Sequence, residues 1–137
     1  MDTLTLQPAV AASLHAWHDM IARRDLSGLD AITRPDVRFR SPAVHKPYQS
    51  APVLALILGT VIQVFEDFTY HRQFASEDGL NVVLEFSARV GDRELKGIDM
   101  IRFDEAGKIA EFEVMVRPLS GLQALAGEMG RRLATLK

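Results

Sequence analysis

The fold is decided by residues 94–103, which read ELKGIDMIRF. In a β-strand, successive side chains point to opposite faces, so the odd and even positions form two separate rows. The odd row is apolar or glycine apart from Asp99, whereas the even row carries charges at both ends. The pattern predicts a strand with one face in the core and the other partly wet, and it assigns Asp99 to the core.

A carboxylate on an apolar face calls for an explanation, because burying its charge is costly unless the charge is paired. Burial raises the pKa of a carboxyl group, and a neutral acid can donate a hydrogen bond to an oxygen of a ligand. Asp99 is therefore a candidate ligand-facing group. The alternative is that Asp99 pairs with a Trp, His or Arg on a helix, or that a bulge turns it outward.

Strand-like segments surround this stretch. Residues 80–90 alternate in the same way and are joined to it by the tight turn Gly91-Asp92. Residues 105–108 form a second hairpin turn that leads into a strand over residues 109–117. Further strands are predicted over residues 36–41 and 69–76.

Helical spacing of apolar residues predicts helices over residues 8–24, 52–67 and 119–136, with a short one over residues 29–32. Residues 42–51 are predicted to be a loop. Helices and strands that are segregated in this way favour an α+β fold over βαβ winding.

The composition limits the possible functions. The 137 residues predict one domain over residues 1–137, with an ordinary 47% of apolar and 25% of charged residues. A formal charge of -2 without a basic stripe argues against nucleic-acid binding. The absence of cysteine excludes thiolate chemistry, and the four histidines lack the spacing of metal ligands. We expect no metal, no cofactor, no membrane partner and a cytoplasmic location.

Three segments carry a family resemblance. Residues 97–109 (GIDMIRFDEAGKI) resemble a segment of the steroid Δ5-isomerases and of the wider nuclear transport factor 2-like, SnoaL-like superfamily. Residues 25–29 (DLSGL) are similar to its turn after the first helix, and residues 36–42 (DVRFRSP) to its first strand. The resemblance, which covers about residues 6–118, implies a cone-shaped, strongly curved mixed or antiparallel sheet. This partial barrel would pack against helices and enclose a deep pocket.

The resemblance also implies roles for three positions. Asp99 aligns with the acid of the isomerases' oxyanion hole, but Trp17 stands at the position of its tyrosine partner. Ser41 stands at the position of the general base, and a serine hydroxyl is too weakly basic to remove a carbon-bound proton unaided. Steroid isomerisation by the family mechanism is therefore not expected.

Other residues could replace the missing base. His45 and Tyr48 follow the first strand, in a loop that borders the pocket mouth in this fold. His45 could fold inward and serve as the base, since its unperturbed pKa is near neutrality, or it could lie in solvent. Epoxide hydrolysis, which this fold also supports, requires two aspartates and an arginine. Glu85 and Arg89 are predicted on the outer face, so that set is missing.

Two hypotheses from different classes follow. In the first, the chain binds a small, mostly apolar molecule, with Asp99 and Trp17 as polar groups and with isomerisation, cyclisation or hydration through Asp99 and His45. The remaining residues predicted to contact the ligand are Ser41, Tyr48, Leu58, Val61, Phe86 and Phe112. In the second, the chain is a non-catalytic ligand-binding or protein-interaction module. The resemblance implies that it would form a homodimer through the convex sheet face, which carries Ile98, Met100 and Met115.

Overall fold

The computed structural model describes residues 5–135. Within them, the helices are α1 (Pro8–Arg23), α2 (Ala51–Val64) and α3 (Leu119–Ala134), with a short 3₁₀ helix at Leu29–Ile32. The strands are β1 (Thr33–Arg40), β2 (Tyr48–Gln49), β3 (Glu66–Ala75), β4 (Asn81–Val90), β5 (Arg93–Phe103) and β6 (Ile109–Arg117).

One curved sheet contains the six strands of the described residues, in the order β2-β1-β6-β5-β4-β3. The β1–β6 pair is parallel and the other pairs are antiparallel. The sheet is not closed, and the helices pack against it. The predicted α+β class with a cone-shaped mixed sheet is confirmed.

Strand β5 has the two faces that its alternation predicts. Its odd positions are all buried, from Leu95 to Phe103, while its even positions are exposed or half-buried. Gly97 belongs to the buried row because the chain is tightly packed there. A Cβ atom at this position would lie 2.4 Å from the carbonyl oxygen of Met115 and 2.6 Å from the ring of Phe86. The absent side chain thus lets the Phe86 ring lie over the strand.

The hairpin between β4 and β5 also follows the prediction, since Val90 pairs with Arg93 across the two-residue turn. Other boundaries differ. The predicted loop over residues 42–51 contains the short strand β2, which pairs with β1 and is too short to show any period. Helix α2 ends at Val64 rather than at Asp67, because the chain turns directly into β3 at Glu66. The predicted last residue of the final helix, Leu136, lies outside the described residues.

Strand β3, at the edge of the sheet, contains a β-bulge. Tyr70 pairs with Phe86 and Gln73 pairs with Leu84, so three steps along β3 match two steps along β4. His71 and Arg72 together lie opposite the single residue Glu85, and their side chains contact Ser87 and Glu85 on the convex face of β4. Tyr70 is left on the concave side.

The main core lies between the concave face of the sheet and the helices α1 and α2. Its largest fully buried side chains include Trp17, Phe39, Phe103 and Phe112. A second cluster, around Phe86 and Leu125, packs α3 against β4 and β5. No helix of the described residues is long and apolar enough to cross a membrane.

Candidate functional site

A cavity of about 230 Å³ lies between the concave face of the sheet, the helices and the loop after β1. Its wall is mostly apolar, and helix α3 forms one side of it with Leu122, Met129 and Leu133. Of the residues predicted to form the site, those on the cavity wall are Trp17, Ser41, Tyr48, Leu58, Val61, Phe86, Asp99 and Phe112.

Asp99 is the acidic residue of this wall. The ladder places it between Leu84 of β4 and Val114 of β6, both apolar, and only 6% of the residue is exposed. Burial raises the pKa of Asp99 to about 7, and a hydrogen bond from Tyr70 lowers it by a smaller amount. Both the neutral and the ionised form of the carboxyl group are therefore populated near neutral pH.

The hydrogen-bond partner of Asp99 is Tyr70 on β3. The Tyr70 hydroxyl donates to Asp99 Oδ2 at 2.5 Å, and it accepts a hydrogen bond from Trp17 Nε1 at 3.0 Å. Burial, and then the neighbouring Asp99, raise the pKa of Tyr70 well above its usual value, so the phenol keeps its proton. A continuous chain of hydrogen bonds thus runs from α1 through β3 to β5.

Aromatic rings enclose this chain. The ring of Trp17 meets that of Phe112 edge to face at 5.3 Å, and Tyr70 meets Phe68 in the same way at 4.9 Å. The rings of His18 and Tyr70 also meet edge to face, at 5.3 Å, and burial lowers the pKa of His18, so it stays neutral. No lysine, arginine or histidine of the described residues lines the cavity.

The SnoaL-like domain family matches residues 14–112. The chain belongs to the SnoaL-like domain family. No protein of curated function matches it in sequence.

Solved structures agree with the family. A steroid delta-isomerase from Pseudomonas aeruginosa is 67% identical over 98% of each chain, with a TM-score of 0.96. An uncharacterised protein with a cystatin-like fold from Silicibacter pomeroyi DSS-3 is 34% identical over 94% of this chain and 87% of that chain, with a TM-score of 0.82. A SnoaL-like polyketide cyclase from Jannaschia sp. CCS1, described there as putative, shares the fold at 10% identity, covering 91% of this chain and 96% of that chain with a TM-score of 0.69.

The polar groups nearer solvent in this SnoaL-like domain are hydroxyls. Ser41 Oγ accepts a hydrogen bond from the backbone N–H of Ala43 at 3.0 Å, which leaves its hydroxyl hydrogen for another acceptor. The Tyr48 ring stacks on Phe39 at 6.2 Å, and the residue is 36% exposed. Neither hydroxyl is a base strong enough to remove a carbon-bound proton at neutral pH.

His45 is not brought into the site. Its side chain is exposed, and it is not among the described residues that line the cavity. Residues 43–46 run over the surface after the turn at Ser41, which keeps the imidazole in water. The geometry therefore leaves Asp99 without the histidine base that was considered for it.

Tyr70 is a residue of the site that the sequence pattern did not predict. The predicted strand over residues 69–76 included it, but its partner lies two strands away and no local spacing links the two. The available signal was the alternation of Phe68 and Tyr70, which marks an aromatic face at the start of β3. Within the described residues, no three His, Cys, Asp or Glu side chains are grouped closely enough to hold a metal ion.

Proposed function

We propose that this SnoaL-like domain binds a small, mostly apolar carbonyl compound and catalyses an isomerase- or cyclase-type proton transfer through Asp99. One observation carries the proposal. A buried carboxyl group with a pKa of about 7 lines an apolar cavity, with Oδ2 bonded to Tyr70 and Oδ1 without a partner among the described residues.

The pKa suits proton transfer in both directions. An acid–base catalyst works best when its pKa is near the working pH, because both protonation states are then populated. A neutral Asp99 donates its proton to the carbonyl oxygen, and the resulting carboxylate removes a proton from the adjacent carbon. The ketone becomes an enol, atoms and charge balance, and one group serves first as acid and then as base.

The cavity favours a small substrate. Pockets for drug-sized ligands measure about 300–1,000 Å³, and a cavity of about 230 Å³ lies below that range. Its wall is mostly apolar, which disfavours sugars, and the described residues that line it include no lysine, arginine or histidine, which disfavours anions. We infer a compound of one or two rings with a single carbonyl group facing Asp99.

The neighbouring structures support the reaction class. The relative from Pseudomonas aeruginosa, at 67% identity, is described as a steroid delta-isomerase. Steroid isomerisation in this chain would lack the family's aspartate base, because Ser41 stands at that position. Enolisation by Asp99 alone needs no second base.

The test uses α-tetralone, a two-ring ketone, in deuterated buffer. We expect the protein to accelerate deuterium incorporation at the carbon beside the carbonyl, measured by proton NMR. In Asp99→Asn, the rate should be at least about tenfold lower than in the wild type. Glu113→Gln, which removes a carboxylate from the outer face of β6, is the matched control and should keep the rate.

Binding is measured separately. Trp17 is the single tryptophan of the chain and lies on the cavity wall, so its fluorescence should change when α-tetralone binds. A wild-type protein that neither binds α-tetralone nor exchanges its protons, while isomerising a Δ5-3-ketosteroid, would contradict the small-substrate proposal. An Asp99→Asn variant that binds and exchanges as well as the wild type would contradict the role of Asp99.

We also propose that the convex face pairs with a second copy of the chain. Phe74 on β3 and Met115 on β6 are large apolar side chains that are 53% and 44% exposed there. Sedimentation equilibrium should give a dimer for the wild type and a monomer for Met115→Lys. A wild-type monomer at high protein concentration would rule out this pairing.

A further inference from the structure

Asp99 has two oxygens, and the residues behind it distinguish them. The geometry points to Trp17 and Tyr70 as positioning residues that direct the acidic proton of Asp99 to Oδ1, the oxygen available to a ligand. This inference rests on the proposed function, because it specifies how the acid of that site is oriented. Neither residue needs to touch the reacting atoms for this role.

The direction of the hydrogen bonds follows from the chemistry of the three groups. An indole N–H can only donate, so Trp17 Nε1 must give its hydrogen to the Tyr70 oxygen. The phenol has one hydrogen, and its remaining short contact is Asp99 Oδ2 at 2.5 Å. Tyr70 therefore donates to Oδ2, and Oδ2 is occupied as an acceptor. When Asp99 is protonated, its own hydrogen lies on Oδ1.

The packing keeps this chain in place. Trp17 is 2% exposed, and the ring of Tyr70 packs edge to face against Phe68 at 4.9 Å and against His18 at 5.3 Å. A rotation of the Tyr70 hydroxyl away from Oδ2 would point its hydrogen into apolar surroundings, where an unpaired donor is costly.

Oδ1 is open to the cavity. Among the described residues, every side-chain oxygen that is fully shielded from solvent has a hydrogen-bond partner. Asp99 Oδ1 has no hydrogen-bond partner, so it retains accessible surface. Asp99 lines the cavity. The protonated oxygen is thus the one that a ligand can reach.

The groups that face Asp99 from each packed element are few, which makes its titration readable. Leu84 of β4 and Val114 of β6 are its ladder partners, and Tyr70 of β3 is its hydrogen-bond partner. The other described residues that line the cavity, which include residues of α1, α2 and α3, carry no charge, and the titratable ones besides Asp99 are Tyr48 and Tyr70. Tyr70 stays neutral over the range in which Asp99 titrates.

The experiment follows the carboxyl carbon of Asp99 by ¹³C NMR through a pH titration without ligand, with Asp99→Asn to assign the signal. Tyr70→Phe removes the hydroxyl and keeps the ring, so the ionised form loses a hydrogen bond and the midpoint should rise by about one pH unit. Trp17→Phe should raise it by less. The chain has two tyrosines, and Tyr48→Phe is the matched control that should leave the midpoint unchanged.

A second readout reports the orientation of the proton. The carbonyl stretch of bound ¹³C-labelled α-tetralone, measured below the midpoint by infrared difference spectroscopy, should show one hydrogen-bonded band in the wild type. In Tyr70→Phe, both oxygens of Asp99 can carry the proton, and the hydrogen-bonded band should fall about twofold.

The outcomes separate this inference from the proposed function. An unchanged midpoint in folded Tyr70→Phe would overturn the inference even if Asp99 is needed for exchange. A raised midpoint in a protein that binds no ketone would support the inference and count against the function. If Tyr70→Phe does not fold, Trp17→Phe decides, and an unmoved midpoint in that variant overturns the positioning role.

Discussion

Asp99 and Glu85 are both acids on adjacent central strands, and each is only 6% exposed. Asp99 lies on the concave face, where the pKa of its carboxyl is raised to about 7. Glu85 lies on the convex face. The two acids are close in the ladder, because Leu84 pairs with Asp99 and the next residue, Glu85, pairs with Ile98. There the pKa of Glu85 is held well below its usual range.

The difference lies in the partners. The guanidinium of Arg72 donates two hydrogen bonds to Glu85, at 2.8 and 2.7 Å, and Lys96 Nζ lies 2.8 Å from Oε2. These cations hold the pKa of Glu85 down, Arg72 more than Lys96, and their own side chains are 69% and 48% exposed. Asp99 has a neutral phenol instead. Low exposure of a carboxyl group therefore does not set its protonation state, because the charge of the covering groups decides it.

The largest expected effect is on stability after Asp99→Asn. The folded-state pKa of about 7 lies above the unfolded value of 3.8, so the folded state binds an extra proton between these values. The stability of the wild type should fall as the pH rises from 4 to 7. Asp99→Asn removes this dependence and should gain up to about 4 kcal/mol over the wild type at pH 8. Urea unfolding across this range measures it, and equal slopes for both proteins would contradict the raised pKa.

The next largest effect is expected from a substitution in β5, the strand that carries Asp99. Gly97→Ala would force a methyl group against the Met115 carbonyl and the Phe86 ring. We expect a loss of about 3 kcal/mol in urea unfolding, together with a changed Trp17 fluorescence, because the Phe86 ring forms part of the cavity wall. Ala110→Gly on the neighbouring strand is a control for a change of backbone flexibility. An unchanged stability would mean that the sheet opens there at little cost.

A smaller effect, of opposite sign, is expected from Glu85→Gln. Because the pKa of Glu85 is lowered on folding, its ionised form stabilises the folded state above the unfolded pKa of about 4.5. This contribution is lost as the pH falls below that value. Urea unfolding at pH 7 should show Glu85→Gln less stable than the wild type, with the difference vanishing in acid. A stability gain at pH 7 would contradict this, because it would mean that ionised Glu85 destabilises the folded state as ionised Asp99 does.

The smallest effect is expected from Lys96→Met, which removes the second cation and keeps a long side chain. The pKa of Glu85 should rise slightly, since Arg72 remains, and the titration of Asp99 should not move. Both can be followed by ¹³C NMR of the carboxyl carbons in one sample. A shift of the Asp99 midpoint would show that the two faces are electrostatically coupled through the sheet.

The sequence predicted the position of Asp99 well, because alternation in β5 depends on local chemistry alone. The hairpin turn at Gly91 and the helices were predictable for the same reason, because their signals are also local. The hydrogen bond to Tyr70 was not predictable in this way, since the two residues belong to strands separated by β4. His45 illustrates the converse: a suitable pKa and a nearby loop position do not determine whether a side chain points inward.

Glu85 shows the same limit. Alternation correctly assigned it to the outer face, but its hydrogen bond with Arg72 depends on the bulge in β3. Strict alternation from Tyr70 would have put Arg72 on the concave side. A single extra residue changes the face of every position after it, and the composition of the strand does not predict where that residue occurs.

The bulge in β3 also bears on how the protein avoids aggregation. Strand β3 is an edge of the sheet in the described residues, and a regular edge of ten residues offers a template for the strand of another chain. The irregular spacing at His71 and Arg72 interrupts the row of backbone donors and acceptors, and the charged side chains of Glu66, Asp67 and Arg72 lie along it. The strand that holds Tyr70 against Asp99 is thereby a poor starting point for fibril growth.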